Sequence, residues 1–120
     1  MRLGMMLAAL FSVVCTMPAW AGIDEGEAAY NRGDYAIALR ECQPLAEEGN
    51  HKAQMLLGRM YLEGQGVPRD AMQAEIWFSL AAASGDPTAE TLRNYVARDY
   101  LTDSQVGQAA REAWYWKPKK

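Results

Sequence analysis

The two side chains best suited to nucleophilic or metal chemistry are Cys42 and His51. A cysteine beside a histidine can act as an activated nucleophile, and both residue types bind zinc. His51 is the only histidine of the chain and Cys42 is one of two cysteines, so a zinc site with three or four ligands has no cluster to draw on. Cys42 falls on the apolar stripe of a predicted helix, where a thiol is usually an inert hydrophobe. We therefore expect a buried Cys42 and no catalytic residue, metal or cofactor.

The remaining polar motifs also favour structural roles. No serine is followed by a lysine three positions later, so the Ser-x-x-Lys nucleophile motif is absent. Gly64-Gln65-Gly66 lacks the lysine and the preceding strand of a phosphate-binding loop and is interpreted as a turn. The acidic residues at 24–27 open a predicted helix, which favours a solvated first turn over a cation site. Glu47-Glu48 closes a helix, and its role stays open.

The composition is that of one small domain. The chain has 120 residues, 50% of them hydrophobic, and a second domain would have no core of its own. Its 12 basic and 15 acidic residues give a net charge of −3, so we expect no basic face that binds nucleic acid. Two cysteines allow at most one disulfide, which excludes a disulfide scaffold.

The N-terminal segment has the pattern of a cleavable export signal. Arg2 precedes an apolar run from Leu3 to Val14, and Ala19-Trp20-Ala21 forms a small-residue cleavage site. A polar residue and a proline interrupt the apolar stretch before it reaches the roughly 20 residues that cross a bilayer, so a retained anchor is the weaker interpretation. We predict a signal peptide at 1–21, cleaved after Ala21, a domain at 22–120, and a periplasmic or secreted location in a bacterium.

The chain repeats itself at an offset of 36 residues. The matches are small residues and helix-capping residues, as stacked helix pairs require. They are Asp34 with Asp70, Ala38 with Ala74, Ala46 with Ala82, Gly49 with Gly85, Asn50 with Asp86, and Ala53 with Ala89. At the same offset Cys42 matches Phe78. This repetition indicates a solenoid built from one recurring helical unit.

Helical spacing of apolar residues fills the segments between these matches. Ala53, Leu56, Leu57, Met60 and Tyr61 form one stripe, and no segment alternates in the manner of a strand. Capping residues and glycines mark the helix ends. The predicted fold is therefore all-α, a short α-solenoid of three antiparallel helix pairs: 24–31 with 34–48, 51–63 with 70–84, and 87–99 with 102–116.

The middle pair carries the most specific pattern of the chain. Its defining residues are Leu57, Gly58, Tyr61, Gly64, Gly66, Asp70, Ala74, Trp77, Ala81 and Gly85. With this spacing, residues 50–85 resemble one complete Sel1-like repeat, a subclass of the tetratricopeptide-like helical repeats. Independently of the family, the glycine and alanines among them let helix backbones approach, and the large side chains fill the space between pairs. The outer pairs lack the Gly-x-Gly loop and are interpreted as caps.

The resemblance also implies where a partner would bind. In tetratricopeptide-like repeats the first helices of successive pairs line a concave groove, which receives an extended or helical segment of another protein. Carried over position by position, the groove residues are Asp24, Ala28, Asn31, Lys52, Met55, Arg59, Thr91 and Tyr95. Met55, Arg59 and Tyr95 are the strongest candidates, because flexible, Arg and aromatic side chains dominate interface energetics.

The C-terminal segment 114–120, Trp-Tyr-Trp-Lys-Pro-Lys-Lys, combines aromatic and basic side chains. One interpretation is a capping helix in which Trp114 covers the last exposed core surface and the lysines complement the negative helix end. The other is a peripheral contact with an anionic membrane surface or an acidic partner. The two interpretations are compatible, and both stay open.

The functional hypothesis from the sequence is an exported, non-enzymatic adaptor or regulator that holds a partner protein. The alternative is a cell-envelope enzyme or ligand binder acting on peptidoglycan or related polymers, which would need a pocket with convergent polar groups. Self-association is a third option, because a stack of about three pairs has two incompletely buried ends.

Overall fold

The computed structural model describes residues 21–119, so the predicted export signal at 1–21 lies outside this range except for its last residue. All regular structure in the described range is helical. The helices are α1 (Ala21–Arg32), α2 (Tyr35–Glu47), α3 (His51–Glu63), α4 (Ala71–Ala83), α5 (Pro87–Tyr100) and α6 (Asp103–Tyr115). These bounds match the predicted ones closely, except that α1 begins earlier than Asp24. The all-α fold, a short helical solenoid, is confirmed.

Polar caps begin most of the helices at the predicted residues. Asn50 accepts a hydrogen bond from the backbone N–H of Ala53, Asp70 from that of Gln73, and Asp86 from those of Thr88 and Ala89. Thr102 forms a complete capping box with Gln105. Asp34 stands at the start of α2 but makes no side-chain cap, and its carboxylate instead lies 3.9 Å from the Arg32 guanidinium.

Glycines with positive φ end helices or shape the α3–α4 loop, as predicted. Only glycine adopts this backbone conformation without strain, which is why the chain can reverse direction within a few residues. The glycines concerned are Gly33, Gly49, Gly64, Gly66 and Gly85.

The core is centred on α3 and α4. Phe78 of α4 is fully buried and crosses α3 at Gly58, where a Cβ would lie only 2.6 Å from the Phe78 ring. Leu57 and Trp77 pack on the other side with Ile23 of α1 and Cys42 of α2. Gly58 is therefore a point of close approach between α3 and α4. Leu57 and Trp77 are buried between the helix pairs, which removes apolar surface from water.

The third pair departs from the predicted arrangement. α5 and α6 each pack against α4 but scarcely against each other, so an open cleft separates them. The α5 position equivalent to Leu57, at the offset of 36, is Arg93, and this side chain lines the cleft. A charged residue there cannot supply the buried apolar contact that holds α3 to its neighbours. The expectation of a closely packed pair at 87–99 and 102–116 is corrected accordingly.

The C-terminal tail, residues 116–119, returns to α2. Trp116 packs edge-on against Trp77 with ring centroids 6.3 Å apart. The backbone N–H of Lys119 donates to the carbonyl of Glu47 at 2.8 Å, and its ammonium lies 3.1 Å from the Glu47 carboxylate. The tail therefore does contact the core and a helix C-terminus, but the covering residue is Trp116. The prediction that Trp114 covers the core is wrong, because Trp114 is 83% exposed.

Within residues 21–119, none of the helices combines the length and apolar character needed to span a bilayer.

Candidate partner-binding site

An open cleft of about 240 Å³ lies between the first helices of successive pairs. Its lining comes from α1, from α3, and from the cap and first turn of α5: Glu27, Lys52, Met55, Leu56, Arg59, Asp86 and Thr88. We call this surface the α3 cleft. Lys52, Met55 and Arg59 recur on one face of α3 because the spacing of three to four residues follows the helical period.

The three predicted α3 residues share this cleft but differ in exposure. Lys52 and Arg59 are exposed, so their charges reach solvent. Met55 is only 8% exposed and belongs to the core cluster with Phe78 and Val96. Met55 therefore forms the base of the cleft, and the expectation that it is a free interface side chain is corrected. A residue that holds α3 to α4 and α5 is a poor site for a binding-specific mutation.

The α3 cleft carries charges of both signs. Glu27 of α1 and Asp86 before α5 stand on the same surface as Lys52 and Arg59. Within residues 21–119, Lys52 and Arg59 form no ion pair. Their charges are therefore compensated by solvent, and a partner carboxylate can approach them without displacing an existing pair.

Tyr95 lies in a separate aromatic group on α5. Its hydroxyl is 3.1 Å from that of Tyr100, and the two rings meet edge-on with centroids 5.4 Å apart. The Arg69 guanidinium stands 5.0 Å from the Tyr100 ring centre, a cation–π geometry. The hydrogen bond with Tyr100 raises the pKa of Tyr95. The sequence predicts Tyr95 as a binding residue but not its two companions in this group. These are Tyr100, at the end of α5, and Arg69, in the loop between α3 and α4.

The other predicted groove residues lie on α1 and α5 and are exposed. Thr91 donates its hydroxyl to the backbone carbonyl of Pro87 at 3.1 Å, which is an ordinary intrahelical bond. Asp24 lines a second open cleft of about 420 Å³ next to Asn50 and His51. Ala28 and Asn31 are exposed further along α1. The predicted set is therefore a discontinuous surface, and the α3 cleft brings together three of its members, Lys52, Met55 and Arg59.

The possible Cys42–His51 nucleophile is not assembled. Cys42 is fully buried, as predicted, and burial raises the pKa of its thiol to about 11, with smaller contributions from Glu27 and Glu41. At neutral pH the thiol stays protonated and is a poor nucleophile. His51 is exposed at the start of α3, where Nδ1 lies 3.9 Å from the Asp86 carboxylate.

A buried carboxyl on α4 is the other strongly perturbed group. Glu75 is 4% exposed, and burial raises its pKa to about 7, partly offset by the charge of Arg93. Among the described residues its Oε2 has no hydrogen-bond partner. In the same part of the chain, no three His, Cys, Asp or Glu side chains come together as a metal site would require.

The fold is a short helical solenoid, which supports a repeat of the tetratricopeptide-like kind. The Sel1 repeat family model matches residues 51–86, which span α3, α4 and the cap of α5. The match supports the Sel1-like repeat family and covers the segment singled out from the sequence. No solved structure gives a significant match to the chain.

Sel1 repeats generally mediate protein–protein interaction and are typically non-enzymatic. A protein partner is therefore supported for this chain at the level of its class. No observation on the described residues favours the envelope enzyme considered from the sequence.

Proposed function

We propose that the protein is an exported interaction module that holds a segment of a partner protein across its first helices. The observation that carries this proposal is the α3 cleft, in which Lys52 and Arg59 face solvent above the apolar side chains of Met55 and Leu56. An apolar base with a few charged groups at its edges is the usual composition of a peptide-binding groove.

The charges of the cleft describe the segment that would fit. Lys52 and Arg59 project from α3, while Glu27 and Asp86 border the same cleft from the neighbouring elements. A segment with an apolar side chain over Met55 and with charges of both signs beside it satisfies all four groups. Electrostatic complementarity of this kind contributes mainly to specificity and to the rate of association.

The experiment is a comparison of two charge-reversal variants as bait in cell-envelope extract. One variant carries Lys52→Glu and Arg59→Glu in the α3 cleft. The control carries Arg32→Glu and Arg40→Glu, which make the same change in net charge at exposed positions on α1 and α2. All baits comprise residues 22–120, and circular dichroism checks their helicity.

We expect the wild type and the control to capture the same partner and the cleft variant to lose at least tenfold, about 1.4 kcal/mol. Equal capture by the cleft variant and the control would show that the partner binds elsewhere. Met55 is left unchanged in this test, because its truncation would destabilise the core.

Export is the second part of the proposal, and the segment at 1–21 supports it. Expression of the full chain in a bacterial host, followed by fractionation and mass spectrometry, tests it. We expect a processed protein that begins at Gly22 in the periplasm or the medium. An unprocessed chain that retains Met1 in the cytoplasm would contradict it.

A further inference from the structure

A second exposed surface lies at the C-terminal end of the molecule, away from the α3 cleft. Trp114 and Tyr115 on the last turn of α6 are 83% and 76% exposed, the highest values among the large hydrophobic side chains of the described residues. Trp114 also borders the open cleft between α4, α5 and α6, whose apolar lining includes Leu80, Ala83, Ala110 and Ala113. We call Trp114, Tyr115 and this lining the α6 patch.

The tail holds the α6 patch in its exposed position. Directly after Tyr115, Trp116 is packed against Trp77, and Lys119 is bonded to Glu47 through both its backbone and its ammonium. Because α6 ends at Tyr115 and the tail that follows is held by these contacts, the backbone that carries the two rings is held in place. Exposed apolar surface of this kind, rimmed by polar residues, marks an interaction site.

Basic residues outnumber acidic ones in the C-terminal segment of the chain that contains these rings. Residues 111–120 carry four basic side chains and one acidic, whereas residues 22–110 carry seven basic and fourteen acidic. Arg111 and Lys117, next to the exposed rings, are themselves exposed, and Arg93 lines the cleft. Glu112 is the single acidic exception within this segment. Lys119 of this segment is paired with Glu47, so among the described residues the unpaired basic charges beside the rings are those of Arg111 and Lys117, whereas residues 22–110 form an acidic body.

We infer that the α6 patch binds the surface of a bilayer that contains anionic phospholipids. Trp and Tyr side chains favour the membrane–water interface, and basic residues beside them are attracted to anionic headgroups. The acidic body is repelled by the same surface, so the molecule would stand on its C-terminal end. Rings that project this far suit a fluid interface, which closes around them, better than a rigid partner, which would need a matching pocket for each ring.

Vesicle sedimentation tests this inference. The packed core lies within the described helices and tail, so the protein is used as residues 22–120, which also removes the apolar N-terminal run. The vesicles contain either phosphatidylcholine alone or equal amounts of phosphatidylcholine and phosphatidylglycerol. We expect binding to the mixed vesicles only, a blue shift of tryptophan emission on binding, and release as the salt concentration rises.

Two pairs of variants locate the contact. Trp114→Ser with Tyr115→Ser should weaken binding about tenfold or more, while Tyr95→Ser with Tyr100→Ser, which removes two exposed aromatic rings from α5, should not. Arg111→Gln with Lys117→Gln should weaken binding about twenty-five-fold, or about fivefold for each charge. Arg32→Gln with Arg40→Gln makes the same charge change at the other end of the chain and should leave binding close to that of the wild type.

Several outcomes would overturn the inference. They are no sedimentation with anionic vesicles at low salt, equal binding to neutral vesicles, or equal effects of the patch variants and their controls. A second copy of the chain is the competing occupant of the patch. If light scattering shows an oligomer that Trp114→Ser with Tyr115→Ser converts to a monomer, while vesicle binding is unchanged, the patch is a self-association surface. The result does not depend on the α3 cleft.

Discussion

A comparison of the central and third helix pairs shows that one contact point between two helices decides whether they pack closely against each other. In the central pair, Gly58 lets the Phe78 ring lie directly on the α3 backbone, 2.6 Å from where a Cβ would be. The first pair repeats this contact, because Gly26 of α1 lies against the Cys42 side chain of α2. In the third pair Asn94 occupies the α5 position equivalent to Gly58. Counted from the first residue of each helix, Ala110 of α6 holds the same position as Phe78 of α4.

The molecule therefore has a closely packed region around α3 and α4 and an open region between α5 and α6. Where a glycine meets a large buried side chain, the two helices share a core and leave little surface unpaired. Where both are missing, α6 lies on α4 and an apolar cleft faces solvent. The binding surfaces proposed above lie at the edge of the tight region, in the α3 cleft, and on the open region, in the α6 patch.

The largest expected difference between the two regions is in the response to aromatic truncation. Phe78→Ala removes a fully buried ring, so the free energy of unfolding should fall by about 3–5 kcal/mol. Trp114→Ala removes a ring that is 83% exposed, and a change within about 0.5 kcal/mol is expected. Urea unfolding followed by circular dichroism measures both. Similar losses for the two variants would contradict the comparison.

The buried carboxyl of α4 should make stability depend on pH. The folded-state pKa of Glu75, about 7, lies above the ordinary value of 4.5, so between these values the folded protein holds a proton that the unfolded chain has released. The contribution of Glu75 to stability is therefore most favourable at low pH, falls by about 3 kcal/mol as pH rises from about 4.5 to about 7, and then levels off.

Denaturant unfolding across this pH range tests the prediction. Glu75→Gln should flatten the dependence and stabilise the protein above neutral pH, whereas Glu63→Gln, at an exposed position on α3, should keep the wild-type profile. An unchanged profile for Glu75→Gln would mean that other groups control the pH dependence of the free energy of unfolding.

The glycine crossing itself is the next contrast. Gly58→Ala should destabilise the protein by about 1–3 kcal/mol, because the new methyl overlaps the Phe78 ring. Asn94→Ala, at the equivalent position of α5, is exposed and should change stability by less than about 0.5 kcal/mol. Thermal or urea unfolding checks both. A double variant with Phe78→Leu should recover part of the loss, since the smaller side chain relieves the overlap.

The smallest contrast concerns helix caps. Thr102→Ala breaks the capping box that begins α6 and should cost about 1 kcal/mol. Asp34→Ala should cost much less, because Asp34 caps nothing with its side chain. Equal losses in urea unfolding would show that Asp34 stabilises α2 in another way.

The sequence predicts the helices, most of the caps and the central core, because these follow from local spacing and residue type. The burial of Cys42 followed from its match with Phe78. The position of α6 could not be predicted in this way, since it depends on which contacts Arg93 and Asn94 fail to make. The identity of the covering tryptophan was also missed: Trp116 lies beyond the last helix, where helical periodicity no longer applies, and the tail meets Glu47 across 72 residues of chain.

The candidate site was predictable in its exposed part. Lys52 and Arg59 follow from the register of α3, which the sequence defines. The burial of Met55 was not predicted, because α3 is covered on more than one side and its apolar stripe is wider than the periodicity alone indicates. Tyr100 and Arg69 join Tyr95 through contacts between a helix end and a loop, which no spacing rule describes.

Site-specific photo-crosslinking tests the binding claim most directly. The photoreactive amino acid benzoylphenylalanine is placed separately at Arg59 in the α3 cleft and, as a control, at Arg40 on the exposed face of α2. After irradiation of cells that express the protein, we predict a defined adduct with one partner from position 59 and none from position 40. An adduct from position 40 alone, or from neither position while the partner is still captured, would contradict the assignment of the first helices as the binding surface.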